Sequence, residues 1–158
     1  MLLQFTDGQP FAQGCCGFLY RPATERDTTP RIILTVQISG IETQTALDTG
    51  GVYLVCDPEI ADLLNLDPSS VVGTDTLGIR EWKGSGTLYR LPLMLVSDEG
   101  RGLELEVTAF VPSLQPGETW RLPSYMGLSG CLERLRFAVD PATDTFYFGA
   151  MEQEEAPL

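Results

Sequence analysis

The chain has 158 residues, 43% of them hydrophobic, with ten Lys and Arg against 22 Asp and Glu and a formal charge of −12. That length and apolar content suit one domain able to bury its own core. So acidic a surface disfavours nucleic acid and membrane surfaces as partners, because both present phosphate. Histidine is absent, which removes Ser-His-Asp and Cys-His nucleophilic chemistry and most catalytic zinc sites. No Walker A or Gly-x-Gly-x-x-Gly pattern occurs, and neither a metal nor an organic cofactor is expected.

In chain order, residues 1–30 are rich in Gly, Pro and Thr and read as an N-terminal arm or edge segment, with one candidate strand from Gly17 to Tyr20. Arg31 to Ser39 alternates Ile32, Leu34, Val36 and Ile38, the pattern of a half-buried strand. Gly40-Ile41 turns it, Thr43 to Leu47 returns, and Asp48-Thr49-Gly50 follows at the end of that apolar stretch. The triplet occurs once. Hydrolysis by a carboxylate pair needs two such groups, one as base toward water and one as acid toward a carbonyl, so the second would come from an identical chain across a two-fold axis.

Val52 to Val55 reads as a short strand. Asp57-Pro58-Glu59 then opens a helix, with a side-chain oxygen at the N-cap, Pro at the first helical position and an acid in the first turn. Strands at Thr74–Ile79 and Thr87–Val96 bracket Arg80 to Gly86, predicting a long hairpin with a glycine-bearing tip on which Trp82 offers an apolar face to a ligand. Ser97 to Gly100 is a second turn, Leu103 to Val111 a returning strand, and Pro112 to Pro123 a proline-rich loop. Tyr125-Met126-Gly127 is an apolar-apolar-Gly cluster before a short helix from Leu128 to Arg134. A last hairpin pairs Leu135–Asp140 with Thr145–Gly149, and residues 150–158 form an acidic, disordered tail.

This order of elements resembles the retropepsins, the single-lobed aspartyl proteases of retroviruses and their cellular relatives. The likeness spans roughly Arg31 to Gly149 and rests on Ala46-Leu47-Asp48-Thr49-Gly50, on Tyr125-Met126-Gly127, and on Leu135 to Asp140 after it. It implies a mainly β fold, a closed β barrel with one or two short helices, over residues 31–149. It further implies a homodimeric aspartic endopeptidase acting on a peptide or protein substrate.

On that likeness Asp48 is the catalytic carboxylate, Thr49 ties the two active-site loops together, and Gly50 permits close backbone approach. Ile79, Arg80, Glu81, Trp82, Lys83 and Gly84 belong to a flap over the substrate, while Tyr125, Met126 and Gly127 brace the active-site loop from behind. The chain departs from the family at Gly51, where Ala or Ser is usual, and at Leu128, where viral members carry Arg. The alternative is a silent retropepsin-fold dimer that binds peptides or partner proteins.

Cys15, Cys16, Cys56 and Cys131 match no zinc or haem spacing, so reduced structural thiols and a cytoplasmic address are expected. The N-terminus has no basic segment followed by a long apolar one, and no run approaches the roughly 18 apolar residues of a membrane span.

Overall fold

The alternation in Arg31–Ile38 becomes strand β3, in which Leu34, Val36 and Ile38 are fully buried and Thr35 is exposed. The chain turns at Ser39-Gly40, both with positive φ, into β4 (Ile41–Leu47), which sets Ile38 opposite Ile41 and Ile33 opposite Ala46. Two left-handed residues suit so tight a hairpin because their twist matches that of the paired strands. The computed structural model describes Gly8, residues 12–25 and residues 28–151.

Among those residues the fold is mainly β. The remaining strands are β1 (Gly14–Gly17), β2 (Leu19–Arg21), β5 (Leu54–Val55), β6 (Val71–Ile79), β7 (Trp82–Leu95), β8 (Glu99–Gly100), β9 (Leu103–Pro112), β10 (Ser124–Met126), β11 (Leu135–Asp140) and β12 (Thr145–Ala150). One sheet runs β2-β3-β4-β10-β5-β9-β7-β6, and β7 pairs back onto β3 through Leu93 and Ile38, so six of its strands form a ring of pairings. A smaller sheet runs β11-β12-β1-β8. The helix α1 (Pro58–Leu64) starts as its sequence dictates: Asp57 caps it by accepting from the Glu59 N–H at 2.9 Å, and Asn65 ends it in the left-handed conformation.

Side chains alternate across the strands beneath the site and divide the interior in two. Leu54, Ala109 and Met126 point into a large cluster with Leu34, Phe146 and Phe148. Their neighbours Val55, Phe110 and Tyr125 point the other way, into a smaller cluster with Ile33, Ala46 and Trp120. The smaller cluster lies on the side of Asp48 and the β6–β7 hairpin.

Three elements differ from the sequence expectation. The N-terminal segment carries two strands, one in each sheet, separated by the buried Phe18; pieces that short show no usable periodicity. The β6–β7 hairpin turns at Arg80-Glu81, and Gly84 and Gly86 lie inside β7 opposite Leu77 and Asp75. A Cβ at Gly84 would sit 2.7 Å from the Trp82 ring, and one at Gly86 would sit 2.5 Å from the Phe110 ring and from the Val111 carbonyl. These glycines therefore make room for aromatic rings across the strand instead of bending it. The helix expected from Leu128 to Arg134 is a single 3-10 turn at Leu132–Arg134. Of the acidic tail, residues 152–158 lie outside the described residues.

Candidate active site

Asp48 leaves the end of β4 held by one long-range and one local backbone bond. Its N–H donates to the Met126 carbonyl at 2.9 Å, and its own carbonyl accepts from the Gly51 N–H at 3.1 Å. The Gly50 N–H donates to Asp48 Oδ1 at 3.2 Å. Behind the loop, Leu128 N–H donates to Gly51 O at 2.8 Å, Gly127 N–H to Tyr53 O at 2.7 Å, and Tyr53 N–H to Ser129 O at 2.6 Å. The parallel pairing of β10 with β4, Tyr125 beside Ala46 and Met126 beside Leu47, puts the segments in register.

One missing β-carbon is required by this lacing. A Cβ on Gly127 would stand 2.6 Å from Val52 C, 2.7 Å from Val52 N and 2.7 Å from Tyr53 O, all backbone atoms that cannot rotate aside. At Gly51 a Cβ would lie 3.0 Å from Asp48 Oδ2, so the departure to glycine leaves the carboxylate room against its own loop.

The carboxylate opens on a cavity of about 230 Å³. Gly50, Gly51, Val52 and Val55 form its floor with Asp48, Tyr125 and Gly127 add a wall, and Leu77, Gly78, Ile79 and Arg80 come from the tip of the β6–β7 hairpin. The lining combines Asp48, Arg80, Tyr125 and the backbone of four glycines with the apolar Val52, Val55, Leu77 and Ile79, a composition suited to an apolar side chain with a polar backbone.

Other residues singled out from the sequence lie as follows. Thr49 and Gly50 are exposed at the apex of the loop. Glu81 sits in the turn, and Lys83 is an exposed residue of β7 opposite Gly78. Trp82 packs away from the cavity lining: its ring lies over Gly84 and stands edge-on to Phe110 at 6.1 Å and to Trp120 at 5.4 Å, and its indole N–H donates to Glu118 Oε1 at 2.6 Å. Tyr125 is buried with the Arg31 guanidinium 5.0 Å above its ring, an arrangement that offsets part of the cost of burying that charge. Met126 is fully buried in the larger cluster.

Several residues at the site had not been read from the sequence. Leu77 lines the cavity two residues before Ile79, and the strand period of two could have found it. Tyr53 carried no signal: it has φ +61, stacks on Phe110 at 6.5 Å, and donates its hydroxyl to Asp75 Oδ2 in β6 at 2.7 Å. That hydroxyl, with the Thr76 N–H at 2.7 Å, holds the Asp75 carboxyl below the usual carboxylate range. The same bond raises the Tyr53 phenol above its ordinary value. Deeper in, burial pushes the thiols of Cys56 and Cys131 up to about 12.

No protein-family model matches the sequence, and no curated protein matches it. Among solved structures, the chain is similar to a retropepsin-like aspartic protease from Rickettsia conorii, with a TM-score of 0.51 and 17% identity over 85% of this chain and 94% of that one. At that identity the likeness establishes the fold: the chain is built on the mainly β plan of a retropepsin-like protease.

Proposed function

We propose that this protein is an aspartic endopeptidase that acts as a homodimer, with Asp48 of each chain supplying one carboxylate. The observation that carries the reading is the position of Asp48. Its carboxylate opens on a cavity roofed by a hairpin tip, while the apex of its loop, Thr49-Gly50, faces solvent. Val52 and Leu128, beside that apex, are 39% and 43% exposed, leaving apolar surface where a second loop would meet the first. A cavity of about 230 Å³ is also small for a complete site, since ligand sites usually span about 300–1,000 Å³. Half of a composite cleft would have that size.

In the assembled pair two like charges that close cannot both ionise, so the dyad holds one proton. The ionised carboxylate takes a proton from water as the water oxygen bonds to the scissile carbonyl carbon. The protonated carboxyl gives its proton to the carbonyl oxygen. Collapse of the tetrahedral diol then breaks the C–N bond: the protonated carboxyl gives its proton to the leaving amine while the other carboxylate takes the proton of one diol hydroxyl, so the dyad again holds one proton. The β6–β7 hairpin acts as the flap that closes over the peptide and excludes water. The four free thiols, Cys15, Cys16, Cys56 and Cys131, fit a reducing, cytoplasmic setting, and among the described residues no helix is long and apolar enough to cross a membrane.

Replacing Asp48 by Asn is expected to lower peptide cleavage by about 10²–10⁴-fold or more, with dimer and peptide binding retained. Cleavage at the wild-type rate by that variant, or a wild-type activity per chain that stays constant on dilution through dissociation, would sink the proposal. Peptide binding without cleavage by the wild-type dimer would instead leave a binding module on the same fold.

A further inference from the structure

We propose that Glu118 and Trp120, on the loop between β9 and β10, are positioning residues that latch the flap tip of the same chain over Asp48; the link to catalysis rests on the protease reading above. The chain has two tryptophans, and they meet. Trp82 is the first residue after the Arg80-Glu81 turn and stands opposite Ile79. Anything that fixes Trp82 therefore fixes the strand pair whose other member presents Ile79 and Arg80 to the cavity.

The loop is built to receive it. Gln115-Pro116-Gly117-Glu118 closes as a turn, with the Glu118 N–H donating to Gln115 O at 2.9 Å and Gly117 at φ +81, as proline followed by a left-handed glycine dictates. The turn pins the carboxylate. Glu118 Oε2 accepts from the Gln115 N–H at 3.4 Å, and Oε1 accepts from the Trp82 indole at 2.6 Å, a charge-assisted bond. Two residues on, Trp120 is 9% exposed and belongs to the cluster that contains Tyr125, a wall of the cavity. The tip is thus tied through Trp120 to a wall of the cavity it covers. Because Glu118 is exposed and the bond is solvent-accessible, the latch can open to admit a peptide and re-form over it.

The test compares Glu118→Ala, which removes the acceptor, with Glu118→Gln, whose side-chain carbonyl can still accept. Amide hydrogen exchange is read over residues 77–84 and needs no substrate. Peptide cleavage is read as KM and kcat, and tryptophan fluorescence reports the Trp82–Trp120 pair directly, since the chain holds no other tryptophan. Expected for E118A are faster exchange in 77–84, an altered emission, and a KM raised about five- to tenfold with kcat changed less than about twofold, while E118Q restores most of each. Wild-type exchange in E118A overturns the latch. Faster exchange with unaltered KM overturns its role at the cleft. If wild-type protein cleaves no peptide, the protease reading fails while the exchange comparison still decides whether the latch exists.

Discussion

Beneath Asp48 the contacts run from backbone to backbone: Asp48 to Met126, Gly127 to Tyr53, Leu128 to Gly51. Above it β7 is laddered to β9 only as far as Gly86, with one more backbone bond from Ser113 N–H to Ser85 O; beyond that point the tip is held by side chains, Trp82 to Glu118 and Trp120, and the outer strand β6 by Asp75 to Tyr53. A floor tied by several backbone bonds that converge on the buried Met126-Gly127 segment has few alternative arrangements, because leaving those buried groups unpaired is costly. A roof held by half-exposed side chains can release one contact at a time. The difference fits the proposed protease, whose site would hold a carboxylate still and yet admit a peptide, and it predicts that changes in the floor and roof will report in different measurements.

The largest expected effect lies in the floor. Gly127→Ala places a β-carbon within 2.7 Å of three backbone atoms of Val52 and Tyr53, so the loop carrying Asp48 must move. A cost of roughly 3 kcal/mol is expected, the upper end for overpacking because no side chain can yield. It should be read as a lower urea midpoint at unchanged slope. A wild-type midpoint for this variant would mean that the floor is looser than its lacing implies and would erase the contrast with the roof.

A smaller and more specific effect is expected where roof and floor touch. Tyr53→Phe removes the hydroxyl that bonds Asp75 and should lower the folding constant by less than tenfold, as removal of one partly exposed hydrogen bond does. The pH dependence identifies the cause. Asp75 has its folded-state pKa depressed, so its stabilisation is present above the ordinary carboxylate pKa and is lost as pH falls through the depressed value. Tyr53 has its phenol raised, so its share is present below the ordinary phenol pKa and is lost as pH rises through the raised value. The stability difference between wild type and Y53F should therefore be flat between roughly pH 4 and pH 10 and shrink outside that window. A difference that keeps its full size at pH 2 would show that the hydroxyl acts on something other than the Asp75 carboxylate.

How far each half could be read in advance follows from the range of its contacts. The floor announces itself because its determinants are short runs, Leu47 to Gly50 and Tyr125 to Gly127, whose apolar and glycine positions are set by strand period and by backbone approach. The helix at Pro58–Leu64 was legible for the same reason, since a cap acts over two or three residues. The roof was less legible. Its tip, expected over Arg80 to Gly86 because glycine ordinarily marks turns, closes at Arg80-Glu81 instead, and Gly84 and Gly86 give way to the rings of Trp82 and Phe110. The partner of Trp82 lies 36 residues away and that of Tyr53 lies 22 residues away, and no local pattern encodes a pairing across such distances. Trp82 offered as a ligand contact and Trp82 packed on Trp120 look the same in sequence; only the fold of the 113–123 loop separates them.

The smallest expected effect is a null that sharpens the comparison. Cys56 and Cys131 are buried beside the floor, next to Val55 and Gly130, with thiols pushed up to about 12 by burial. At pH 8 almost none of either is thiolate, so alkylation in the native protein must wait for the floor to open. Cys15, only partly buried, should react first and serve as the internal control. If floor and roof open independently, Glu118→Ala frees the hairpin yet leaves the alkylation rates of Cys56 and Cys131 at the wild-type value. Gly127→Ala should raise both by roughly a hundredfold where labelling follows the opening equilibrium, since each ~1.4 kcal/mol is worth a factor of ten. Acceleration of the two buried thiols by E118A would mean that the roof and floor open as one unit, and the division between a fixed carboxylate and a movable cover would then have no physical basis in this chain.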